Sequence, residues 1–144
     1  QDNLGLLLLQ LPPRISYHPE RLEQVLGHFK HPEKVAVEIR NKEWFTEEIH
    51  EILKNCGSVF CTADSPKTQL MDWVTGDTGY IRLHGRAKWY TYDYSNKELE
   101  EIIDFMKQLI KKSVKTFYIF FNNDFQGYAP RNALTLSEMV RRNF

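Results

Sequence analysis

The sequence predicts an α/β fold in which about five parallel strands alternate with helices, as in part of a TIM (β/α)8-type barrel. Five short apolar runs indicate the strands, and each run ends in polar or charged residues; they span 6–12, 35–40, 58–65, 80–85 and 117–124. Amphipathic segments separate most of these runs. The strands therefore cannot pair as hairpins, and a parallel sheet with right-handed crossovers is expected. The 144 residues are enough for one globular domain, which we predict to cover 1–144.

Polar residues on one face of the strands favour a barrel over an open sheet. Alternate residues of a strand share a face, and in the second strand Glu38 and Arg40 follow Ala36 on one face. The next two strands repeat the pattern, with Thr62 and Asp64 in the third and Arg82 and His84 in the fourth. A doubly wound sheet needs two apolar faces because helices cover both, whereas the inside of a barrel can become polar near its mouth.

Helix signals fall between the strands in the order that a barrel requires. Pro12 and Pro13 end the first strand, and apolar residues then recur at helical spacing. The helices are predicted to begin near Pro19, after the N-cap Thr46, at Ser95 and near Ala133, and the last two to end near Lys112 and Arg142. Ser95 and Glu98 match a capping box. The segment 66–76 is consistent with one or two helical turns or with a loop.

Composition counts against several classes of protein. Lys plus Arg and Asp plus Glu number 19 each, so the formal net charge is zero, which argues against a broad surface for nucleic acid or anionic membrane. No run approaches the roughly 18 apolar residues that would cross a bilayer. Cys56 and Cys61 match no zinc or redox spacing, and the reducing environment that this indicates predicts a cytoplasmic protein.

The polar strand ends are predicted to converge at one mouth of the barrel. The members of this cluster are Glu38, Arg40, Asp64, Arg82 and His84, joined by Gln10 and by Asn122 or Asn123. A buried ion-pair network that only closes the barrel is the structural alternative. Such networks cost desolvation free energy, so five ionisable groups are expensive as mere packing, and a functional site is favoured.

Each residue type in this cluster suggests a role. Arg40 and Arg82 offer guanidinium groups suited to a carboxylate or phosphate, so we assign them to substrate binding together with Gln10, Asn122 and Asn123. His84 is the expected general acid or base, because histidine titrates near neutral pH. Glu38 or Asp64 would orient His84 or act as its partner. No metal-ligand spacing accompanies these residues, so no metal is assigned, and the sequence does not identify a cofactor.

The loop 86–94 carries four aromatic residues among basic ones. Its aromatic members are Trp89, Tyr90, Tyr92 and Tyr94, and its basic members are Arg86 and Lys88. Such a loop could cover the barrel mouth as a lid or stack on the bases of a nucleic acid. The lid is the favoured interpretation.

Several segments resemble one family in the same order along nearly the whole chain. The segments LGLLLLQLPP, VAVEIRNKEWF, ADSP, YIRLHG, YS-x-x-EL and FFNND-x-x-GYA-x-x-NA-x-x-L are similar to those of the DUF72 (YecE-like) family. The resemblance implies a TIM barrel, and the family's biochemical function is not established. Two family motifs near the start, G-T-S-G-W and N-x-T-F-Y-x-x-P, are not found here, and the chain begins at Gln1. The chain is therefore expected to form the later part of the barrel, completed by an upstream segment or another chain.

Three functions follow as hypotheses. The first is an enzyme of TIM-barrel type that acts on a small anionic or polar substrate at the carboxyl ends of the strands. The second is a nucleic-acid-processing protein, such as a metal-dependent nuclease, that uses the loop 86–94 for contact. The third is a non-catalytic binding or assembly module.

Overall fold

The computed structural model describes residues 5–144 as five strands and four longer helices, with a helix after every strand except the third. The first four residues of the predicted domain lie outside the described residues. The elements are β1 Leu7–Gln10, α1 Pro19–Gly27, β2 Val35–Glu38, α2 Glu47–Asn55, β3 Val59–Asp64, β4 Thr78–Leu83, α3 Asn96–Lys111, β5 Thr116–Phe121 and α4 Tyr128–Asn143. Short 3-10 turns lie at Pro32–Lys34, Lys42–Trp44 and Phe125–Gly127.

The five strands form one parallel sheet whose spatial order follows the chain, β1-β2-β3-β4-β5. A doubly wound sheet reverses its strand order at a switch point, and this sheet does not. The α/β class and the parallel sheet are confirmed, and the sequential order is consistent with part of a barrel.

The two faces of the sheet have different partners. On the outer face, Val37 and Ile39 of the second strand segment pack with residues of α1 and α2, and Ile81 and Leu83 pack with residues of α3 and α4. On the inner face, the apolar cluster formed by the described residues contains no helix residue; its members are Ala36, Val59, Cys61 and Tyr80, flanked by Leu6, Leu8 and Tyr118. The helices therefore cover one face, as in a barrel wall.

The helix predictions hold except at the start of α4. The side chain of Thr46 caps α2, and Ser95 and Glu98 form the expected capping box of α3. α4 begins at Tyr128 rather than near Ala133, directly after Gly127 in a left-handed conformation. Pro130 does not delay the helix, because it lies in the first turn, where backbone N–H groups have no partner within the helix. The segment 66–76 is a loop without helical turns.

Across residues 5–144, no helix is long and apolar enough to cross a membrane.

Candidate functional site

The strand register corrects the predicted faces of β3. Cys61 lies opposite Glu38 of β2 and Tyr80 of β4, and Ala63 lies opposite Arg82. The apolar residues Cys61 and Ala63 therefore form the inner face of β3. The prediction that Thr62 and Asp64 share a face with Glu38 is wrong. The small side chains of Cys61 and Ala63 leave room on the inner face for the longer side chains of the neighbouring strands.

Glu38 is the centre of a polar cluster at the carboxyl ends of the inner face. Its side chain is 2% exposed. One carboxylate oxygen, Oε2, accepts hydrogen bonds from Gln10 Nε2 at 2.6 Å and from Arg82 Nη1, and the other, Oε1, accepts one from Arg40 Nε at 3.0 Å. Arg82 also donates through Nε to Asn122 Oδ1 at 3.1 Å. Residues from the ends of β1, β2 and β4 thus meet at one carboxylate, and the end of β5 joins them through Arg82.

The surroundings of Glu38 keep its carboxyl group ionised. Burial alone would raise its pKa, but the nearby His84 imidazole and the hydrogen bonds from Gln10, Arg82 and Arg40 outweigh burial and hold the pKa well below its usual range. The Glu38 carboxylate therefore holds the two guanidinium groups and the Gln10 amide in place.

The imidazole ring of His84 is buried in this cluster without a hydrogen bond to the described residues. It is 2% exposed, and within residues 5–144 neither ring nitrogen has a hydrogen-bond partner. The shortest approach to an acid joins His84 Nε2 to Glu38 Oε1 at 3.8 Å, which is too long for a hydrogen bond. The rings of Trp89 and Tyr90 lie beside the imidazole, with centroids at 5.4 and 6.1 Å. Buried polar atoms are usually satisfied, so these nitrogens mark a place where a ligand can bind.

Asp64 belongs to a different network on the outer face. Its Oδ2 accepts a hydrogen bond of 2.9 Å from Arg86 Nε, and Arg86 also pairs with Glu101 of α3. Burial raises the pKa of the Asp64 carboxyl, and the Arg86 guanidinium opposes that shift without cancelling it. The Asp64 carboxylate therefore anchors the start of the loop 86–94, and within residues 5–144 it makes no hydrogen bond or ion pair with the His84 imidazole.

The two adjacent asparagines after β5 point in different directions. Asn122 joins the inner cluster through Arg82. Asn123 is completely buried and donates to the carbonyl oxygen of Tyr92 and to Asn132 Oδ1, both at 2.7 Å. Asn123 is thus placed to hold the loop, and only Asn122 lies where the predicted substrate would bind.

The loop 86–94 divides its aromatic residues between the site and the core. The rings of Trp89 and Tyr90 contact His84. The ring of Tyr94 instead packs edge-on against Phe121 and does not cover the inner face. Tyr92 bonds to Glu98, and burial together with this bond raises the pKa of Tyr92 to about 12. Two of the four rings therefore cover the cluster, in keeping with a lid.

Gly85 makes the turn that brings the loop back over His84. Its φ is +102°, and a Cβ there would lie 2.4 Å from Tyr92 Cβ and 2.5 Å from the carbonyl oxygen of Lys88. Only glycine fits this conformation without strain. The fixed turn places Trp89 against the imidazole.

A possible metal-ligand group lies elsewhere, on α2. Ligand atoms of Glu47, His50 and Glu51 lie within 4.8 Å of one another. Glu47 is 79% exposed, and the His50 ring stacks on Trp73 at 5.0 Å. These residues have ordinary surface roles and are unrelated to the inner cluster.

One residue near the site, Lys67, was not predicted from the sequence. It lines a cavity of about 120 Å³ beside His84 together with Trp89 of the predicted lid. Asn132 of α4 makes four hydrogen bonds, three to the loop 86–94 and one to Asn123. Lys67 comes from the loop after β3, in the segment Ser65-Pro66-Lys67-Thr68 that follows a strand end. That position after a strand was the one signal that could have identified it.

Comparison with known proteins identifies the family. The model for the family described as "Protein of unknown function DUF72" matches residues 1–144. A DUF72 protein of Thermotoga maritima superposes with a TM-score of 0.83 at 31% identity, covering 93% of this chain and 56% of that one. Two crystal structures of a DUF72 protein of Enterococcus faecalis give TM-scores of 0.83 and 0.81 at 20% and 22% identity, covering 94% of this chain and 58% and 61% of theirs. No curated protein gives a significant match. The chain thus spans somewhat more than half the length of these solved structures, and it belongs to the DUF72 family.

Proposed function

We propose that this protein is an enzyme that acts on a small anionic or polar molecule, bound on the inner face where β1, β2, β4 and β5 end. The observation that carries the proposal is the buried imidazole of His84, whose two nitrogens have no partner within residues 5–144. A histidine used only for packing would be expected to satisfy at least one of them. An imidazole with free nitrogens can accept a proton from a substrate or donate one to it.

Unused donors on the two arginines support an anionic substrate. A guanidinium carries five N–H donors. Arg82 uses two of them and Arg40 uses one within the described chain, so each retains at least three for a ligand. Arg82 is 14% exposed and Arg40 is 29% exposed in their side chains, which keeps these donors accessible from the mouth.

Glu38 fits the role of a positioning residue. It holds both guanidinium groups in place and lies 3.8 Å from His84 Nε2. His84 would move the proton, and Arg40 and Arg82 would bind the substrate.

The nucleic-acid alternative has less support. Arg86 is engaged by Asp64 and Glu101, and Tyr92 and Tyr94 are held in the protein, so the exposed part of the loop offers Lys88 and Tyr90. Stacking on single strands usually uses several exposed aromatic rings in a basic groove.

A substrate screen tests the proposal. The full-length protein is incubated with pools of small anionic and polar metabolites, and their consumption is followed by mass spectrometry. We expect His84→Gln to slow consumption of the substrate by about 10²–10⁴-fold, and Arg82→Gln to weaken its binding at least about tenfold. The exposed Arg141→Gln on α4 is the matched control and should match the wild type.

Three results would contradict the proposal in different ways. Consumption by His84→Gln at the wild-type rate would remove His84 from the reaction. A compound that binds through Arg82 and is never consumed would favour a non-catalytic binding module. Tight, strongly salt-dependent binding of DNA or RNA would favour the nucleic-acid alternative.

A further inference from the structure

The cavity beside His84 is small and is lined by two cationic side chains, Arg40 and Lys67. It measures about 120 Å³ and lies between the inner cluster and the loop after β3. Because one water molecule occupies about 30 Å³ of liquid, the cavity has room for a group of a few heavy atoms. A nucleotide is too large for it, whereas one compact anionic group fits.

Nitrogen donors reach this cavity from three different elements. Arg40 follows β2, Lys67 lies in the loop after β3, and His84 follows β4, and all three line the cavity. Within residues 5–144 the Lys67 side chain forms no ion pair, and both nitrogens of the 2%-exposed His84 are without partners. Three donors from separate elements match a tetrahedral anion with several oxygens better than a planar carboxylate with two.

The charges around the cavity favour a ligand with more than one negative charge. Glu38 is the carboxylate that lines the cavity, and it is paired with Arg40 and Arg82. Lys67 adds a third cation. Together, Glu38, Arg40, Arg82 and Lys67 carry a formal excess of two positive charges. Asp64 does not reduce this excess, because it faces the other side of the sheet and pairs with Arg86. A dianion would balance the site, since uncompensated like charges in a confined volume are unfavourable.

Apolar residues also line the cavity. They are Pro13, Ile39, Ala63 and Trp89. The hydroxyl groups of Ser65 and Thr68 also line it, but they bond to each other at 2.7 Å. A lining that combines nitrogen donors with apolar side chains suits a phosphate group with a small organic substituent.

We propose, building on the function proposed above, that this cavity binds a phosphate group through Arg40, Lys67 and His84. The ligand is inorganic phosphate or a small phosphomonoester whose carbon atoms lie against Trp89. Lys67 is then a binding residue for the anion, although it lies outside the inner-face cluster.

Anion titrations of the full-length protein test this assignment. Binding of inorganic phosphate, methyl phosphate, acetate and malonate is measured by isothermal titration calorimetry at constant ionic strength. We expect phosphate or methyl phosphate to bind at least about tenfold more tightly than either carboxylate, because a phosphate offers more oxygens and more charge to these donors. Tighter binding of methyl phosphate would identify the ester as the ligand, and tighter binding of inorganic phosphate would identify the free ion.

Variants locate the bound anion. Lys67→Gln and Arg40→Gln should each raise the Kd for phosphate at least about tenfold, because each removes a charged donor. Lys67 is exposed, so its replacement should leave the fold intact. Lys97→Gln, at an exposed position on α3, is the control and should leave the Kd unchanged.

The possible failures are distinguishable. If the carboxylates bind as tightly as phosphate and depend on Arg40 and Arg82, the phosphate assignment is wrong and the anionic-substrate function stands. A Kd for phosphate that is unchanged by Lys67→Gln would overturn the assignment to this cavity. If none of the four anions binds, the phosphate assignment is again wrong, and the substrate screen alone then decides whether a neutral polar substrate binds.

Discussion

At the scale of single residues, Glu38 shows how one buried charge organises a site. A carboxylate at 2% exposure is expensive to desolvate, and here two arginines and Gln10 offset that cost through hydrogen bonds. Removal of the charge would leave two guanidinium groups close together without their shared acceptor. The site and the stability of the strand ends therefore depend on the same residue.

Glu38→Gln should destabilise the protein by about 2–4 kcal/mol at neutral pH, because it leaves buried cationic groups incompletely paired. The carboxyl pKa is lower in the folded protein than in the unfolded chain, so its contribution to stability is full above about pH 4.5 and is lost as the pH falls further. The difference in unfolding free energy between wild type and variant should therefore shrink from pH 7 towards about pH 3.

Urea denaturation across this pH range measures the effect. The exposed Glu100→Gln on α3 provides the control and should differ little from wild type at any pH. A difference between wild type and Glu38→Gln that stays constant down to about pH 3 would mean that the charge of Glu38 does not cause the destabilisation.

At the scale of elements, the loop 86–94 is held by α4 and by the end of β5. Asn132 accepts from Tyr94 N and Asn123 Nδ2 and donates to Tyr94 O and Asp93 Oδ1. The same loop carries Trp89 over His84. A helix on the outer side of the sheet thus controls the position of a ring at the inner cluster.

Asn132→Ala should release this loop. Because Asn132 is 5% exposed and its loss leaves buried polar groups unpaired, we expect about 2–4 kcal/mol of destabilisation. Trypsin should then cleave after the exposed Lys88 several-fold faster than in the wild type. The exposed Asn55→Ala on α2 is the matched control, and equal cleavage rates in all three proteins would show that the loop does not depend on Asn132.

Sequence reasoning succeeded where the signal was local. The capping box of Ser95 and Glu98 and the apolar stripe that follows fixed α3 almost to the residue. The predicted face of Asp64 was wrong. The alternation of residues along a strand shows which side chains share a face, but it does not show which face is the inner one. Its true partner, Arg86, is 22 positions away and follows a different strand. The roles of Asn123 and Asn132 likewise depend on a contact between the end of β5 and α4, which no local sequence pattern predicts.

At the scale of the whole molecule, the sheet is open at both ends within residues 5–144. β1 pairs only with β2, and β5 pairs only with β4. The inner face near β5 carries stacked rings of Tyr80, Tyr118 and Phe120, and Phe120 is 43% exposed. Unpaired parallel edges beside exposed aromatic rings are typical association surfaces.

We therefore expect the 144-residue chain, produced alone, to self-associate as its concentration rises. Phe120→Lys should shift it towards monomer, because a charge on the inner face opposes contact between copies through these rings. Sedimentation velocity at several concentrations measures the effect, with circular dichroism to confirm that the variant is folded. Leu134→Lys, at a position 69% exposed on α4, is the control and should associate like the wild type. A wild-type chain that stays monomeric at high concentration would show that these edges and rings are protected without any partner, and equal association of both variants would place the contact on another surface.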